Sequence, residues 1–358
     1  MTAKIANLKS QIDNVKVLIC GGAGYIGSNM TAMLARHTSG GLEAEGHQPV
    51  VFDNLSKGHR SAVWRADFVE GDLADYDLLV KTLRKYKIEV VMHFAAFTEV
   101  TESVQLPLKY YHNNLSNARN LLSAMEATGV EKFVFSSTAA VYGAPKQTPV
   151  TEDSPKEPIN PYGETKWAIE KMCHYQSQTG KLRYAALRYF NACGAGNNAT
   201  LGEDHRPESH LIPLAIRTAM GKRSEVEIYG TDYDTPDGTC IRDYVHVDDL
   251  CRAHLLALDR FDPLRLLVED KSGGELVYNL GTEKGYSVKE VIETVKNVSG
   301  KNFNVAIADR RPGDAPVLTA DATKAKNELG WKPEKPQLEE MVSTAWQWHN
   351  EHPDGYPD

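Results

Sequence analysis

From Val15 onward, short apolar runs alternate with longer stretches of mixed polarity. The runs are VKVLIC (15–20), HQPVVFD (47–53), EVVMHFAA (89–96), EKFVFSS (131–137) and LRYAALRYF (182–190). Their length, Val and Ile content and Gly, Asp or Ser flanks predict strands rather than buried helix. Runs apolar at consecutive positions are covered on both faces, which is the texture of a parallel sheet built from βαβ crossovers. The first half therefore reads as a doubly wound α/β domain. Beyond Asn191 come a Gly/Asn-rich stretch (GAGNNATLGEDHRPE) and a polar turn segment (YGTDYDTPDGT), with too few strand signals for another full sheet. The expected division is 15–192 plus 236–262 for the large domain and 193–235 plus 263–345 for a smaller mixed α/β lobe.

Composition narrows the partners. With 41% hydrophobic and 25% charged residues, the 358-residue chain is of globular type and long enough for a large core with a second lobe. A formal charge of -8 argues against nucleic acid or an anionic membrane surface as partner, so any anionic ligand must be met by a few placed arginines. The five cysteines are widely spaced, with no CxxC and no Cys/His cluster at metal-ligand spacing, so neither a disulfide framework nor a metal site is expected. The polar start and the absence of a long apolar run predict a reduced, cytoplasmic protein.

The sharpest local motif is GGAGYIG (21–27), between the first predicted strand and a helix. Gly21, Gly24 and Gly27 permit a tight turn, close backbone approach to a pyrophosphate and close helix–strand packing. The second strand ends in Asp53, a carboxylate suited to accept both adenine-ribose hydroxyls and to repel a 2'-phosphate, which favours NAD over NADP. Lys57, His59 and Arg60 lie just beyond and leave a phosphate reading open. Asp72 follows another strand-like run, as an adenine contact or as a helix cap.

Tyr162 and Lys166 in PYGETK follow a proline fit to open a helix, and their i, i+4 spacing places them on one face. Ser136, Ser137 and Thr138 follow the EKFVF strand and so lie at a sheet edge. Hydroxyl, phenol and ammonium on a dinucleotide domain make a hydride-transfer set: Tyr162 as acid or base, Lys166 as its electrostatic partner, Thr138 as proton relay. Lowering a phenol from about 10 to near 7 takes roughly 4 kcal/mol. One cation about 5 Å away at an effective dielectric of about 20 supplies roughly 3 kcal/mol, and an oxidised nicotinamide supplies the rest.

In order along the chain, GGAGYIGS, DNL, EGDL, HFAA, PLKYYHNN, SSTAAVYG, PYGETK, RYFNACGA, DGTCIRDYVHV, YNLG and RRPGD resemble the extended short-chain dehydrogenase/reductases, and within them the UDP-glucose 4-epimerases. The resemblance implies a Rossmann domain and a redox-neutral, NAD-dependent inversion at C4 of a UDP-sugar through a 4-keto intermediate. It implies pyrophosphate contacts at Tyr25 and Ile26, ribose contacts at Asp53 and Asn54, and adenine contacts at Asp72 and Leu73. Phe94, Ala95, Ala96, Asn113, Lys166 and Phe190 complete the cofactor side. The substrate side is Thr138, Tyr162, Asn191, Leu211, Tyr229, Arg242, Arg311 and Asp314, with Tyr229 against uracil and both arginines near the diphosphate. A homodimer through helices around 104–127 and 162–178 is also implied.

The chain departs from that pattern at several places. Thr98 stands where many members carry a lysine near the cofactor, His210 where some have asparagine, and Leu318 where hexose-restricted members have a bulky tyrosine. The last opens room for an N-acetyl group. Residues before Val15 and around 38–46 look like solvated additions. Ala139 and Ala140 replace the acid pair of related dehydratases. Three rivals remain open: a 4-epimerase of UDP-N-acetylglucosamine or UDP-xylose/arabinose, a net dehydrogenase or reductase, and a catalytically silent dinucleotide sensor.

Overall fold

The computed structural model describes residues 15–36, 47–261, 274–311 and 314–357. The expected additions at 1–14 and 38–46 lie outside the described residues. The strands are β1 (Lys16–Cys20), β2 (Gln48–Asp53), β3 (Asp67–Glu70), β4 (Val90–His93), β5 (Lys132–Thr138), β6 (Arg183–Tyr189), β7 (Asn191–Cys193), β8 (Val226–Tyr229), β9 (Ile241–His246), β10 (Glu275–Leu280), β11 (Gly285–Ser287), β12 (Val305–Ala308) and β13 (Val317–Leu318). The longer helices are α1 (Tyr25–Arg36), α2 (Tyr76–Tyr86), α3 (Asn117–Thr128), α4 (Pro161–Gln178), α5 (Leu211–Ala219), α6 (Val247–Asp259), α7 (Val288–Ser299) and α8 (Leu338–Glu351).

Seven strands form one parallel sheet in the order β10-β6-β5-β4-β1-β2-β3. Side chains of a strand alternate between faces, and here both faces are dry. Val17, Ile19, Val90, Met92, Val134, Ala185 and Leu187 pack beneath α1 and α6, through Met30, Leu34, Leu250 and Ala253. Leu18, Cys20, Val91, Phe133, Phe135 and Ala186 pack beneath α2, α3 and α4, through Leu79, Leu83, Leu121, Met125, Ile169 and Cys173. Strand order reverses between β1 and β4, and the crevice above such a reversal is where open α/β sheets bind ligands.

The smaller lobe has its own core, in which α5, α7 and α8 pack with Val226, Ile228, Tyr244 and Tyr286. The expected domain limits differ from the structure at two strands. Glu275–Leu280, assigned to the small lobe, is the edge strand of the large sheet beside β6. Ile241–His246, assigned to the large domain, pairs instead with β7, β11 and β13 in a small sheet. A short apolar run states that it is a strand but not which neighbour completes its hydrogen bonds. Asp243 on β9 joins the two, since its carboxylate accepts from the backbone N–H groups of Thr282, Glu283 and Ala320 at 2.8, 3.1 and 3.1 Å.

Within the core, Arg188 on β6 grips Glu170 on α4 with Nη2 to Oε2 at 2.6 Å and Nε to Oε1 at 3.0 Å. Glu170 also accepts from Ser137 Oγ, and Arg188 Nη1 donates to Tyr142 Oη. Glu170→Ala would leave the Arg188 guanidinium buried without its partner, and is expected to lower the unfolding free energy by about 3–5 kcal/mol. Urea titration of the variant checks this, and an unchanged midpoint would contradict it.

Candidate active site

The β1–α1 turn is tight because nothing but glycine fits at its two ends. Gly21 has φ +80°, and a Cβ there would lie 2.5 Å from Ala95 N; one on Gly27 would lie 2.1 Å from Gly21 O. A Cβ on Gly24 would meet only Gly21 O at 3.4 Å, so its backbone is open toward the crevice. Asp53, at the end of β2, accepts from the N–H groups of Ala23 at 2.9 Å and Leu55 at 2.8 Å. Burial pushes its carboxyl pKa up while those two amides draw it down.

Asp72 accepts from Asn54 Nδ2 at 2.7 Å, Ala74 N at 2.8 Å and Asn117 Nδ2 at 3.3 Å. It is not the cap of α2: that role falls to Asp75, which accepts from Leu78 N at 2.9 Å. Asn113 and Asn114 lie in a π-helical turn, Tyr111–Ser116, ahead of α3. The widened turn is of the kind found at functional sites. It aims Asn114 at the β4 exit, where Oδ1 accepts from Phe97 N at 2.9 Å and Nδ2 donates to Phe97 O at 3.0 Å.

Asn160 caps α4 by accepting from Gly163 N at 2.8 Å, and Pro161 opens the helix, as its position predicts. The first turn then presents Tyr162 beside Thr138 at the end of β5. Burial pushes the Tyr162 phenol up, and the Thr138 hydroxyl draws it back down. One turn on, Lys166 is buried with Nζ 6.0 Å from the centroid of the Tyr162 ring, donating to Ser136 O at 2.9 Å. Burial lowers the Lys166 pKa to about 7, against the opposing pull of Glu170.

Across the crevice, Arg242 on β9 and Arg311 share the carboxylate of Asp314, at 3.3 and 3.2 Å. The Arg311 guanidinium lies 4.5 Å from the centroid of the Tyr229 ring, and Tyr229 Oη donates to Glu227 at 2.6 Å. Asn191 Nδ2 donates to Asp243 O at 2.8 Å, and Leu211 begins α5.

One cavity of ≈ 620 Å³ unites these groups. Gly21, Gly24, Tyr25, Ile26, Gly27, Asp53, Asn54, Asp72, Leu73, Phe94, Ala95, Ala96, Asn113 and Phe190 line its large-domain side, with Thr138 and Tyr162. Asn191, Leu211, Tyr229, Arg242, Arg311 and Asp314 line the rest, and Thr98, His210 and Leu318 also face it. Lys166 alone among the expected site residues is not on the wall, and it stands behind Tyr162. Lys57 pairs with Glu99 at 3.0 Å, His59 stacks on Tyr356, and Arg60 lies over the Phe68 ring, so each of the three side chains has another partner.

Two features went unnoticed in the sequence. Tyr189 lines the cavity and shares a 2.5 Å hydrogen bond with Ser136. Glu203, His205, Glu208 and His210 converge beside the cofactor side of the cavity. Their spacing, E-x-H-x-x-E-x-H, is a signal that a search for cysteine and histidine spacings passes over.

Fold and cavity together are those of a nucleotide-binding α/β enzyme with a buried tyrosine on the cavity wall. A family model described as the NAD dependent epimerase/dehydratase family matches residues 17–281. The UDP-glucose 4-epimerase of Halalkalibacterium halodurans is 49% identical over 340 residues, covering 95% of this chain and 97% of that one. The crystal structure of UDP-glucose 4-epimerase from Brucella ovis in complex with NAD aligns with a TM-score of 0.86 at 45% identity, over 93% of this chain and 98% of that one. The Bifidobacterium longum UDP-glucose 4-epimerase in complex with NAD+ and UDP aligns with a TM-score of 0.87 at 36% identity, over 96% and 100%. The chain belongs to the NAD dependent epimerase/dehydratase family.

Lys166 titrates near 7 in the native protein and at its ordinary 10.5 when unfolded. Between those values the unfolded chain holds the extra proton, so this residue makes stability rise with pH and fall as pH drops toward 7. The unfolding free energy of wild type minus that of Lys166→Met should climb across this window by at most about 1.4 kcal/mol per pH unit. Chemical denaturation at a series of pH values measures it, and a flat difference would refute the burial of this lysine.

Proposed function

We propose that the protein is a UDP-glucose 4-epimerase that interconverts UDP-glucose and UDP-galactose, with NAD as its resident cofactor. The observation that carries the reading is the single cavity in which Thr138 and Tyr162 face both the glycine turn and the arginines of the small lobe. The residues fit NAD. The Gly21–Gly27 cradle has no room for side chains at either end, Gly24 leaves backbone open for a pyrophosphate, and Asp53 disfavours a 2'-phosphate. Tyr25, Ile26, Asn54, Asp72, Leu73, Phe94, Ala95, Ala96, Asn113 and Phe190 complete the hold. When bound, NAD supplies the acceptor, and then the donor, of the C4 hydrogen with its electron pair.

Tyr162 as phenolate takes the proton of the sugar 4-hydroxyl, directly or through Thr138, leaving a 4-keto sugar. Reversal gives the proton back to the same oxygen after the opposite face of C4 has been presented. Lys166, fixed behind Tyr162 by Ser136 O, stabilises the phenolate without touching the sugar. Arg242 and Arg311 hold the diphosphate by charge-assisted forks, which Asp314 aims while the site is free. A grip confined to UDP leaves the sugar free to turn, and the site binds what does not react more firmly than what does. Uracil rests against the Tyr229 ring on the face that Arg311 leaves open.

Leu318 supports a second substrate class. It lines the cavity and packs with Phe190 against Tyr142 and Val150, leaving open the space that a bulkier side chain would fill. UDP-N-acetylhexosamines are therefore part of the substrate panel, as are UDP-xylose and UDP-arabinose. Net dehydrogenation would instead show as accumulating absorbance at 340 nm.

The reading extends to a cytoplasmic homodimer. All five cysteines are free and buried, as suits a reducing compartment, and no helix among the described residues is long and apolar enough to cross a membrane. Val104, Leu106 and Leu108, at 60%, 49% and 81% exposure, and Tyr175 on α4, at 68%, are large apolar side chains left exposed. A second copy of the chain meeting the helices around 104–127 and 162–178 would bury these side chains.

Two experiments test the reading. With UDP-galactose, wild type should form UDP-glucose without accumulating NADH, while Tyr162→Phe should lose roughly 10²–10⁴-fold in kcat with UDP affinity kept. No product from any UDP-sugar, with NAD added, would overturn the assignment. Leu108→Glu should shift the sedimenting species from dimer to monomer at micromolar concentration, and a wild type that sediments only as monomer would refute the dimer.

A further inference from the structure

The Glu203, His205, Glu208 and His210 cluster presents an electrostatic problem that hydrogen bonds within the chain solve incompletely. The carboxylates of Glu203 and Glu208 are only 6% and 2% exposed. They are brought together by two imidazole Nδ1 atoms: His210 Nδ1 is 2.9 Å from Glu203 Oε1 and 2.9 Å from Glu208 Oε1. His205 Nδ1 is 3.1 Å from Glu203 Oε1 and 3.7 Å from Glu208 Oε2. His205 Nδ1 is buried and makes no hydrogen bond of good geometry, although it faces both acids.

One ligand atom from each of the four residues lies within 4.8 Å of all the others. Around a tetrahedral zinc ion with ligand bonds of about 2.0–2.1 Å, neighbouring ligand atoms are roughly 3.4 Å apart. The four nitrogen–oxygen separations run from 2.9 to 3.7 Å, around that spacing, with Glu208 meeting His210 through Oε1 and His205 through Oε2. Two imidazole nitrogens with two carboxylate oxygens suit zinc or a similar borderline transition cation better than magnesium or calcium, which prefer oxygen alone.

We propose that Glu203, His205, Glu208 and His210 form a divalent transition-metal site of zinc chemistry, which ties both ends of segment 203–210 together at the cavity wall. Imidazole must be neutral to ligate a metal, so protons compete with the cation and its binding tightens as pH rises.

The site is separate from the catalytic groups, and its test does not need turnover. Untagged protein is freed of metal with a chelator, then titrated with zinc chloride by calorimetry at a series of pH values, with bound metal counted after dialysis. The expected result is one zinc per chain, bound more tightly as pH rises. The double variant His205→Gln/His210→Gln should bind none. Should that variant fail to fold by circular dichroism, His205→Gln alone, at a quarter-exposed position, should bind roughly tenfold more weakly or worse. No stoichiometric uptake by wild type, or equal uptake by a folded variant, would each overturn the site and show a closed charge cluster instead.

Discussion

The site depends on how closely two backbone segments approach above the strand-order reversal. Cys20 O accepts from both Phe94 N and Ala95 N, at 2.8 and 3.0 Å, so the exits of β1 and β4 are drawn together. That closeness leaves no volume for a side chain at Gly21 and forces its positive φ. The turn then runs into α1 along the crevice, and Asp53 holds it from the next strand through Ala23 N. The shape of this turn is thus a property of backbone packing, with the Asp53 side chain holding that backbone in place.

Behind the chemistry lies a second layer that the substrate never meets. Lys166 is the only ammonium beside Tyr162 among the described residues, and it sits over Phe135 while its Nζ is anchored to the carbonyl of Ser136. Below it, Glu170 is fixed by Arg188 and Ser137, and Arg188 reaches on through Tyr142 to Asn279 on the edge strand. Burial works against the lysine's charge and Glu170 works for it. The balance leaves an ammonium poised to change state near neutral pH, the range in which a tyrosine is useful as both acid and base.

The small lobe is attached by polar contacts as well as by apolar ones such as Trp348 packed with Ala32 and Ala62. Asp243 accepts from three backbone amides of the β10–β11 connection and the β13 exit, and its own carbonyl receives Asn191 Nδ2. The same strand carries Arg242, so the cavity-lining arginine and the inter-lobe fastening are neighbours on opposite faces of β9. The Glu/His cluster flanks this arrangement on the cofactor side, where it shapes the wall without reaching Tyr162.

The sequence by itself determined the elements and the chemistry they carry. Buried β-branched runs can only be strands of a two-sided sheet, Asn160-Pro161 starts a helix, and Tyr162 and Lys166 must then share a face. These are local facts of period and capping, and they survive in the structure. Tertiary structure decided what depends on partners far apart in the chain. It sent Glu275–Leu280 to the large sheet and Ile241–His246 to the small one, gave the α2 cap to Asp75 instead of Asp72, and put Lys166 behind the cavity wall. It also gathered Glu203, His205, Glu208 and His210 around one point. Hydrogen-bond partners, burial and the resulting pKa shifts arise only where distant segments meet, and a one-dimensional pattern does not record which segments those are.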